Sequence, residues 1–477
     1  MSHLPGPVPP LTVITGASGF IGNALLQHLA PHRRVVGLSR SHPPGVDEHG
    51  VEWRQADLFS LVQAREAFAG ARHVVYLVHS MQPSARLTQA RFEDLDLLLA
   101  DNVARAARDA GAEQIIYVGG LIPDVPVLSR HLHSRLEVEQ TLAAHGVPVT
   151  ALRAALVVGP QASSLPILLR LVKRLPVMLT PKWTSTLTQP IALKDVLAIL
   201  EHCLGNRELY GHHYDIGGPE VLTYREMMSQ VASALGLKRV MVNVPLLTPR
   251  LSAAWVTLVS GTPGKLVKPL VESLKHPMVV SDQNPLVVPG LRPTPFLEAL
   301  RDALAREPGP RPRKPRPARS ASTRTVRSVQ RLYLPAGKNA SWVADEYRSW
   351  LPRFLRPLIS VHRTDNQSLT FYASGLRRPL LVLDYSFERS TPDRVLYYIT
   401  GGLLARVRPG EPVRGRLEFR VVLGGRYVLA AIHDFEPRLP WLLYTLTQAK
   451  VHLLVMKAFS RHLQRIAATE ARAPQLR

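Results

Sequence analysis

Between Leu11 and Leu152 short apolar runs alternate with stretches in which apolar residues recur every three or four positions. Leu11–Thr15, Arg34–Leu38, His73–Val78, Gln114–Val118 and Val149–Leu152 have the length and β-branched content of strands. Ile21–Ala30, Ala64–Ala69, Phe92–Ala110 and Ser134–His145 read as helices. Strand–helix alternation at this spacing predicts βαβ units in an α/β fold with a doubly wound parallel sheet. From Pro160 to about Ala305 the pattern loosens into helices with a few short extended pieces, as a small substrate-side cap would. The first domain is therefore expected over residues 10–305.

The texture then breaks. Arg306–Arg331 is dense in Pro, Arg and Ser and nearly free of large apolar residues, so it reads as an extended, self-repelling linker. It is either a plain spacer or a tether to an anionic surface or nucleic acid. Residues 332–477 read as an α+β domain. Strands are expected at Ser368–Ala373, Leu380–Phe387 and Arg394–Thr400, and Gly424-Gly425 signals a two-residue hairpin between Arg416–Leu423 and Arg426–Phe435. Leu417, Phe419, Val421 and Leu423, followed by Tyr427, Leu429, Ala431 and His433, alternate as one sheet face. A long helix, Trp441–Ile466, closes the chain, with Leu442, Leu446, Ala449, Leu453, Met456 and Leu463 along one side and Lys450, Lys457, Arg461 and Arg465 on the other. An antiparallel sheet gripping that helix is the economical arrangement. Tyr385, Phe387, Tyr397, Phe419, Tyr427 and Phe435 then either wall an apolar cavity or fill a small core. His433 and Asp434 are adjacent on a strand and point to opposite faces, so they form no dyad.

A chain of 477 residues suggests two or three domains, and 46% hydrophobic with 20% charged residues excludes wholesale disorder. Lys and Arg number 59 against 36 Asp and Glu, a net charge of +23. That excess either sits on solvated faces or favours an anionic partner: a phosphorylated cofactor, nucleic acid or a membrane surface. A specific nucleic-acid role has no aromatic-interleaved basic motif behind it. The single cysteine, Cys203, rules out an internal disulfide and a Cys-based metal site, and fits a cytoplasmic location. MSHLPGPVPP lacks the basic start and apolar run of a signal peptide. Neither Ala253–Leu274 nor Pro440–Ile466 offers an uninterrupted apolar span, so contact with an anionic membrane is expected to be peripheral at most.

The chemistry concentrates in TGASGFIG, Thr15–Gly22, at the end of a strand and the start of a helix. Gly16 allows the tight turn, Gly19 lets backbone N–H groups approach a pyrophosphate, and Gly22 permits close helix–strand packing. Ser18, Phe20 and Ile21 complete the turn and open the helix, whose N-terminus favours anions. The second strand ends in Ser39-Arg40, where an NAD-specific Rossmann site would carry an acidic residue; an arginine can pair with a 2′-phosphate, which favours NADP(H) over NAD(H). The other reading of Arg40 is a surface charge. Asp57-Leu58, after the third strand, sits where a carboxylate can accept from the adenine amino group.

These residues resemble the short-chain dehydrogenase/reductase superfamily in its extended or atypical branch, over roughly residues 10–305. YLVHS, Tyr76–Ser80, is similar to the family's fourth strand, which implies that Val78 and His79 line the nicotinamide channel. LRAALVVGP (Leu152–Pro160), PIALKDV (Pro190–Val196) and YDIGGPEVLTYREM (Tyr214–Met227) resemble its later landmarks. Atypical members such as NmrA-like regulators and the accessory NADPH-binding subunit of respiratory complex I show the same resemblance. Residues 332–477 are similar to a START-like C-terminal domain that follows such proteins in bacteria.

The family's catalytic signature is absent. Its serine would follow the fifth strand, where this chain has Gly119 and Gly120, and its Tyr-x-x-x-Lys aligns with His131-Leu-His-Ser-Arg135. The alignment puts His131 in the place of the tyrosine and Arg135 in that of the lysine. A histidine can donate a proton near neutral pH, and Arg135 can hydrogen-bond the nicotinamide ribose. The competing reading of His131 is a helix-start residue behind a Ser129 cap. The expected function is that of an NADP(H)-binding oxidoreductase acting on a small hydrophobic substrate. The alternative is a non-catalytic NADP(H) sensor or assembly factor that keeps the dinucleotide site without the Tyr/Lys pair.

Overall fold

A computed structural model describes residues 9–47, 50–79, 87–160, 165–244, 254, 257, 261, 271–306, 325–408 and 415–472. The chain divides into two compact units: Met1–His79 with Leu99–Pro312, and Ser80–Leu98 with Arg313–Arg477.

The first unit holds an eight-stranded sheet. In chain order its strands are β1 Leu11–Thr15, β2 Val35–Ser39, β3 Gly45–Val46, β4 Glu52–Gln55, β5 Ala71–Tyr76, β7 Gln114–Gly120, β8 Val149–Ala154 and β13 His213–Ile216, with β6 Leu87–Gln89 lying in the second unit. They are ordered β13-β8-β7-β5-β1-β2-β4-β3 and run parallel except for the two-residue edge strand β3. Helices α1 Phe20–Leu29, α2 Leu61–Ala67, α4 Arg130–Ala143, α6 Leu193–Cys203 and, from Leu99 on, α3 Phe92–Asp109 accompany it. From β1 the chain moves one way along the sheet to β2, and from β7 the other way to β8. Right-handed crossovers therefore place α1 and α4 on opposite faces, and the doubly wound expectation holds. Leu25, Leu26 and Leu29 of α1 pack with Val196, Ile199 and Leu200 of α6 over Ile14 and Val75. The reversal of strand order falls between β1 and β5, where such sheets open a crevice at their carboxyl ends.

Beyond β8 lie three short pairings: β9 Val157–Val158 with β12 Ile191–Ala192, β10 Val177–Thr180 with β15 Val240–Asn243, and β11 Leu187–Thr188 with β14 Leu222–Thr223. Helices α5 Leu165–Arg174, α7 Tyr224–Ala234 and α8 Phe296–Ala305 share an apolar core through Leu169, Met227, Val231 and Leu300. These helices and short pairings occupy the stretch where the sequence pattern loosens. The Ala253–Leu274 stretch lies largely outside the described residues.

The second unit is a second eight-stranded sheet. It comprises β6 Leu87–Gln89, β16 Val326–Tyr333, β17 Ile359–Arg363, β18 Leu369–Ala373, β19 Leu381–Tyr385, β20 Arg394–Gly401, β21 Arg416–Val422 and β22 Tyr427–Phe435. The order is β17-β18-β19-β20-β21-β22-β16-β6, antiparallel from β17 through β16. Helices α9 Ala340–Leu355, α10 Trp441–Leu446 and α11 Gln448–Arg472 complete it. Tyr347 of α9 meets Phe419 at 5.3 Å and Phe459 of α11 at 5.0 Å between ring centroids, so both helices pack on one sheet face. Tyr397, Phe419 and Phe435 belong to that core, with Tyr385 packed against it, whereas Phe387 is exposed.

Four sequence expectations need correction here. β16 begins at Val326, inside the segment read as linker; its VRSVQRLY alternation is masked by the arginines, and the rest of the linker, 307–324, lies outside the described residues. Residues 80–98 belong to the second unit, because β6 pairs in parallel with β16. The hairpin face is shifted by one residue in its second strand: Leu417, Phe419 and Val421 lie opposite Ile432, Ala430 and Val428. Gly424 and Gly425 take positive φ (63° and 86°) in a turn closed by the Arg426 N–H donating to the Leu423 carbonyl, and a two-residue turn fixes that register. Finally, the closing helix breaks at Thr447, which resets its phase: Tyr444, Ala449, Met456, Phe459 and Leu463 face the core, while Leu442 and Leu446 are exposed.

Candidate functional site

At Gly16 and Gly22 the glycine turn is closed by contacts that leave no room for side chains. The Thr15 hydroxyl donates to the Val75 carbonyl (3.2 Å) and accepts from the Leu77 N–H (3.3 Å), tying the end of β1 to the segment after β5. Gly16 has φ +67°, and a Cβ there would lie 3.0 Å from the Leu77 carbonyl oxygen and 3.4 Å from the Val78 nitrogen. A Cβ on Gly22 would come within 2.8 Å of the Ala17 Cα. Gly19, the N-cap of α1, differs: its Cβ would meet only the Gly16 carbonyl oxygen, at 3.0 Å. Its outward side is open, and the first turn of α1 (Phe20, Ile21 and Gly22 among its residues) carries no acidic side chain. Unpaired N–H groups, a positive helix end and no competing carboxylate fit a phosphate.

Beside the turn, the Ser39 hydroxyl donates to the Ser18 hydroxyl at 3.4 Å and accepts from the Ser41 and His42 N–H groups, each at 3.3 Å. The Arg40 side chain is exposed next to this pair. His42 stacks on Trp53 with centroids 4.0 Å apart, which steadies the loop after β2. Thr15, Gly16, Ser18, Gly19, Gly22, Ser39 and Val78 are thus brought to one crevice. Asp57 sits at the end of β4, where its carboxylate accepts from the Phe59 N–H at 3.2 Å and shapes the turn into α2. The Leu58 side chain is buried and its carbonyl accepts from the Asn102 amide at 2.8 Å.

A second cluster lies at the carboxyl end of β7. Ser129 caps α4, as the helix-start reading of His131 has it, accepting from the Leu132 N–H at 3.3 Å, and the helix starts four residues earlier than the periodicity suggests. His131 and Arg135 consequently fall one turn apart on the same face. His79 joins them: its ring centroid is 5.6 Å from that of His131, and an Arg135 N–H donates to its Nδ1 at 2.5 Å. A guanidinium has no lone pair to offer, so Nδ1 is held as the acceptor and the proton of neutral His79 resides on Nε2. His79, read apart from the His131/Arg135 pair in the sequence, therefore joins them in one cluster.

The missing serine has a packing counterpart. A Cβ on Gly119 would lie 2.9 Å from the Tyr117 ring, whose hydroxyl donates to the Arg135 carbonyl at 3.2 Å. Gly120 instead opens onto a cavity of about 200 Å³, lined by His131, Leu156, Trp183, Tyr224, Met227 and Met278 among others. The wall is predominantly apolar. Trp183 and Tyr224 meet edge-on at 5.9 Å, and burial pushes the Tyr224 hydroxyl up to about 12 despite its hydrogen bond with Thr188. The Trp183 indole N–H is buried without a hydrogen-bond partner among the described residues. Sequence reasoning missed Trp183, which sits in a short polar stretch with no periodicity to mark it. Among the described residues no cluster of His, Cys, Asp or Glu is suited to a metal ion.

Residues 12–126 match the model of the NAD dependent epimerase/dehydratase family. That span holds the glycine turn, Ser39-Arg40 and His79. Two curated proteins are similar over parts of the chain. Auxiliary protein GraX of Staphylococcus aureus is 29% identical over 142 residues, 29% of this chain and 42% of that protein. The 2-alkyl-3-oxoalkanoate reductase of Shewanella oneidensis is 28% identical over 270 residues, 49% of this chain and 68% of that protein. The chain thus spans less than half the length of the first. Among solved structures, the NADP(H) complex of the Citrobacter triphenylmethane reductase aligns with a TM-score of 0.48 at 19% identity, over 61% of this chain and 99% of that one.

Proposed function

We propose that the first unit is an NADP(H)-dependent oxidoreductase of the atypical short-chain dehydrogenase/reductase kind, reducing a carbonyl-type group on a small apolar molecule. The observation that carries this reading is His131: it lines the apolar cavity and touches a histidine whose proton Arg135 holds in place. The backbone of Gly16–Gly22 would hold the pyrophosphate, and Ser18, Ser39 and Arg40 the 2′-phosphate. The open side of Gly19 supports the first assignment, and the absence of an acidic residue at the end of β2 the second. When bound, the cofactor supplies the hydride. In this reading His131 gives an imidazole proton to the substrate oxygen, and His79 and Arg135 position its ring. Apolar walls keep water from the site and select substrates with little charge. The name of the Shewanella relative, a reductase of oxoalkanoates, is in keeping with this class.

One observation favours a second reading. The Tyr117 ring occupies the space of a Gly119 side chain, so a serine is packed out at that one of the two positions where the family's serine would fall. A protein that only senses NADP(H) needs no such serine. One experiment distinguishes the two: titrate NADPH and NADH by calorimetry, then follow NADPH oxidation with apolar ketones, enones and quinones. Turnover that falls in His131→Phe supports the reductase. Tight NADPH binding without turnover across the panel supports the sensor, and no NADPH binding overturns both. The START-like character of the second unit remains part of this proposal, supported by its strand order and the pair α9 and α11 packed on one sheet face.

A further inference from the structure

The last two helices of the second unit carry a surface that the dinucleotide chemistry does not use. α10 anchors itself through Tyr444, whose ring meets Phe435 at 6.1 Å and Trp441 at 5.8 Å. That anchoring turns Leu442, Leu443 and Leu446 outward, with 69%, 52% and 53% of their surface exposed. After the break at Thr447, α11 buries Ala449, Val455, Met456 and Phe459, but leaves Val451 and Leu454 48% and 60% exposed. Five large aliphatic side chains in water so close along the chain are unusual for a soluble surface.

Their neighbours are basic. Arg438 precedes α10, and Lys450, Lys457, Arg461 and Arg465 lie on the exposed side of α11. Arg406, also exposed, is brought alongside by its N–H donating to the Glu436 carbonyl at 2.8 Å and by the Ala405–Pro437 bridge. From Pro437 to Thr469 the sequence contains no Asp or Glu. Glu436, just before, is paired with Arg408 at 3.5 Å.

We propose that α10 and the first half of α11 form a docking face for an anionic lipid bilayer. The leucines enter the boundary between headgroups and acyl chains, and the basic side chains meet the lipid phosphates. No helix among the described residues is long and apolar enough to cross a membrane, so the attachment is interfacial. Charge decides against a second copy of the chain as occupant: a two-fold contact would set this carboxylate-free basic stripe against itself.

The test uses the full chain and extruded vesicles of phosphatidylcholine, with and without phosphatidylglycerol, read by co-sedimentation. Binding is expected only with the anionic lipid and is expected to weaken as salt rises. Leu442→Ser/Leu443→Ser/Leu446→Ser should lower the partition coefficient at least tenfold. Lys450→Gln and Lys457→Gln should each lower it by roughly fivefold, the scale of one basic residue at an anionic surface. All five positions are solvent-exposed, so near-ultraviolet circular dichroism and NADPH affinity should match the parent protein. Absence of binding to anionic vesicles, or equal binding to neutral ones, overturns the proposal. So does concentration-dependent dimerisation in ultracentrifugation that the triple leucine variant abolishes while vesicle binding is untouched.

Discussion

Arg135 of α4 donates to Nδ1 of His79, 56 positions away in sequence, and this bond keeps the proton of a neutral His79 ring off Nδ1. Nitrogen-15 NMR should show Nδ1 of His79 as pyridine-like and Nε2 as pyrrole-like. Arg135→Met should mix the two tautomers and lower turnover. Arg135→Lys keeps a donor and should recover part of both signals. An unchanged spectrum in Arg135→Met would show that the bond does not set the tautomer.

The three glycines of the phosphate turn should fail differently. Gly19→Val should remove NADPH binding in calorimetry while lowering the melting temperature less than a side chain at Gly22 does, because its Cβ meets only the Gly16 carbonyl oxygen, at 3.0 Å. Gly22→Ala should lower stability by about 1–3 kcal/mol as well, since its Cβ presses on backbone that cannot yield. Equal melting temperatures in the two variants would contradict the geometry.

Cofactor choice rests on Arg40 and the Ser18–Ser39 pair. Arg40→Asp should weaken NADPH binding by roughly 1.5–3 kcal/mol, the scale of a charged hydrogen bond, and leave NADH unchanged or better bound. Equal losses for both cofactors would mean that Arg40 does not read the phosphate.

Restoring the family's serine should be harmful. Gly119→Ser drives a side chain into the Tyr117 ring and should cost about 1–3 kcal/mol in urea unfolding. In a Tyr117→Ala background the same substitution should cost much less. Additive losses would remove the packing argument.

Acidification should loosen the second unit. Burial, aided by Arg416, depresses His433 to about 4, and burial does the same to His452. Between about pH 4 and 6.5 the unfolded chain therefore binds protons that the folded chain refuses, so stability falls as pH drops through that window. Glu418 acts in the same direction at lower pH: although burial opposes it, Arg420 and Arg394 hold its carboxyl well below the usual range. Its contribution is present above the ordinary carboxylate value and is lost on further acidification. Tryptophan fluorescence across this range should show a shallower slope in His433→Gln/His452→Gln. A slope identical to that of the parent protein would refute the assignment.

The legible parts of the molecule are those governed by short-range rules. TGASGFIG folds into the expected turn because strand end, positive φ and helix N-terminus all fall within eight residues. The strands of the first sheet are readable for the same reason, since burial on both faces makes each an apolar run. What escaped depends on distance in sequence. His79 and Arg135 meet across 56 positions, and Trp183 reaches the cavity from a stretch without periodicity. α9, ASWVADEYRSWLPRFL, was missed because its aromatic and charged residues alternate without a clean apolar stripe. The face of β22 was misassigned because both faces of that strand are buried, and an alternation rule needs one side wet.

The three residues of β6 have a consequence for how the gene product can be divided. Leu87–Gln89 pair with Val326–Ser328, the Gln330 amide donates to the Gln89 carbonyl at 2.8 Å, and Arg331 holds Asp94 at 2.8 Å. A cut in the 307–324 stretch therefore does not yield two self-sufficient halves. The C-terminal fragment would expose the bare edge of β16, a template for unwanted pairing, and the N-terminal fragment would carry away the strand that covers it. Such fragments should reassociate when co-expressed, and a synthetic peptide spanning residues 87–98 should rescue the solubility of the isolated C-terminal piece. The second unit is thus a split domain, completed by a strand encoded more than two hundred residues upstream of the rest of its sheet.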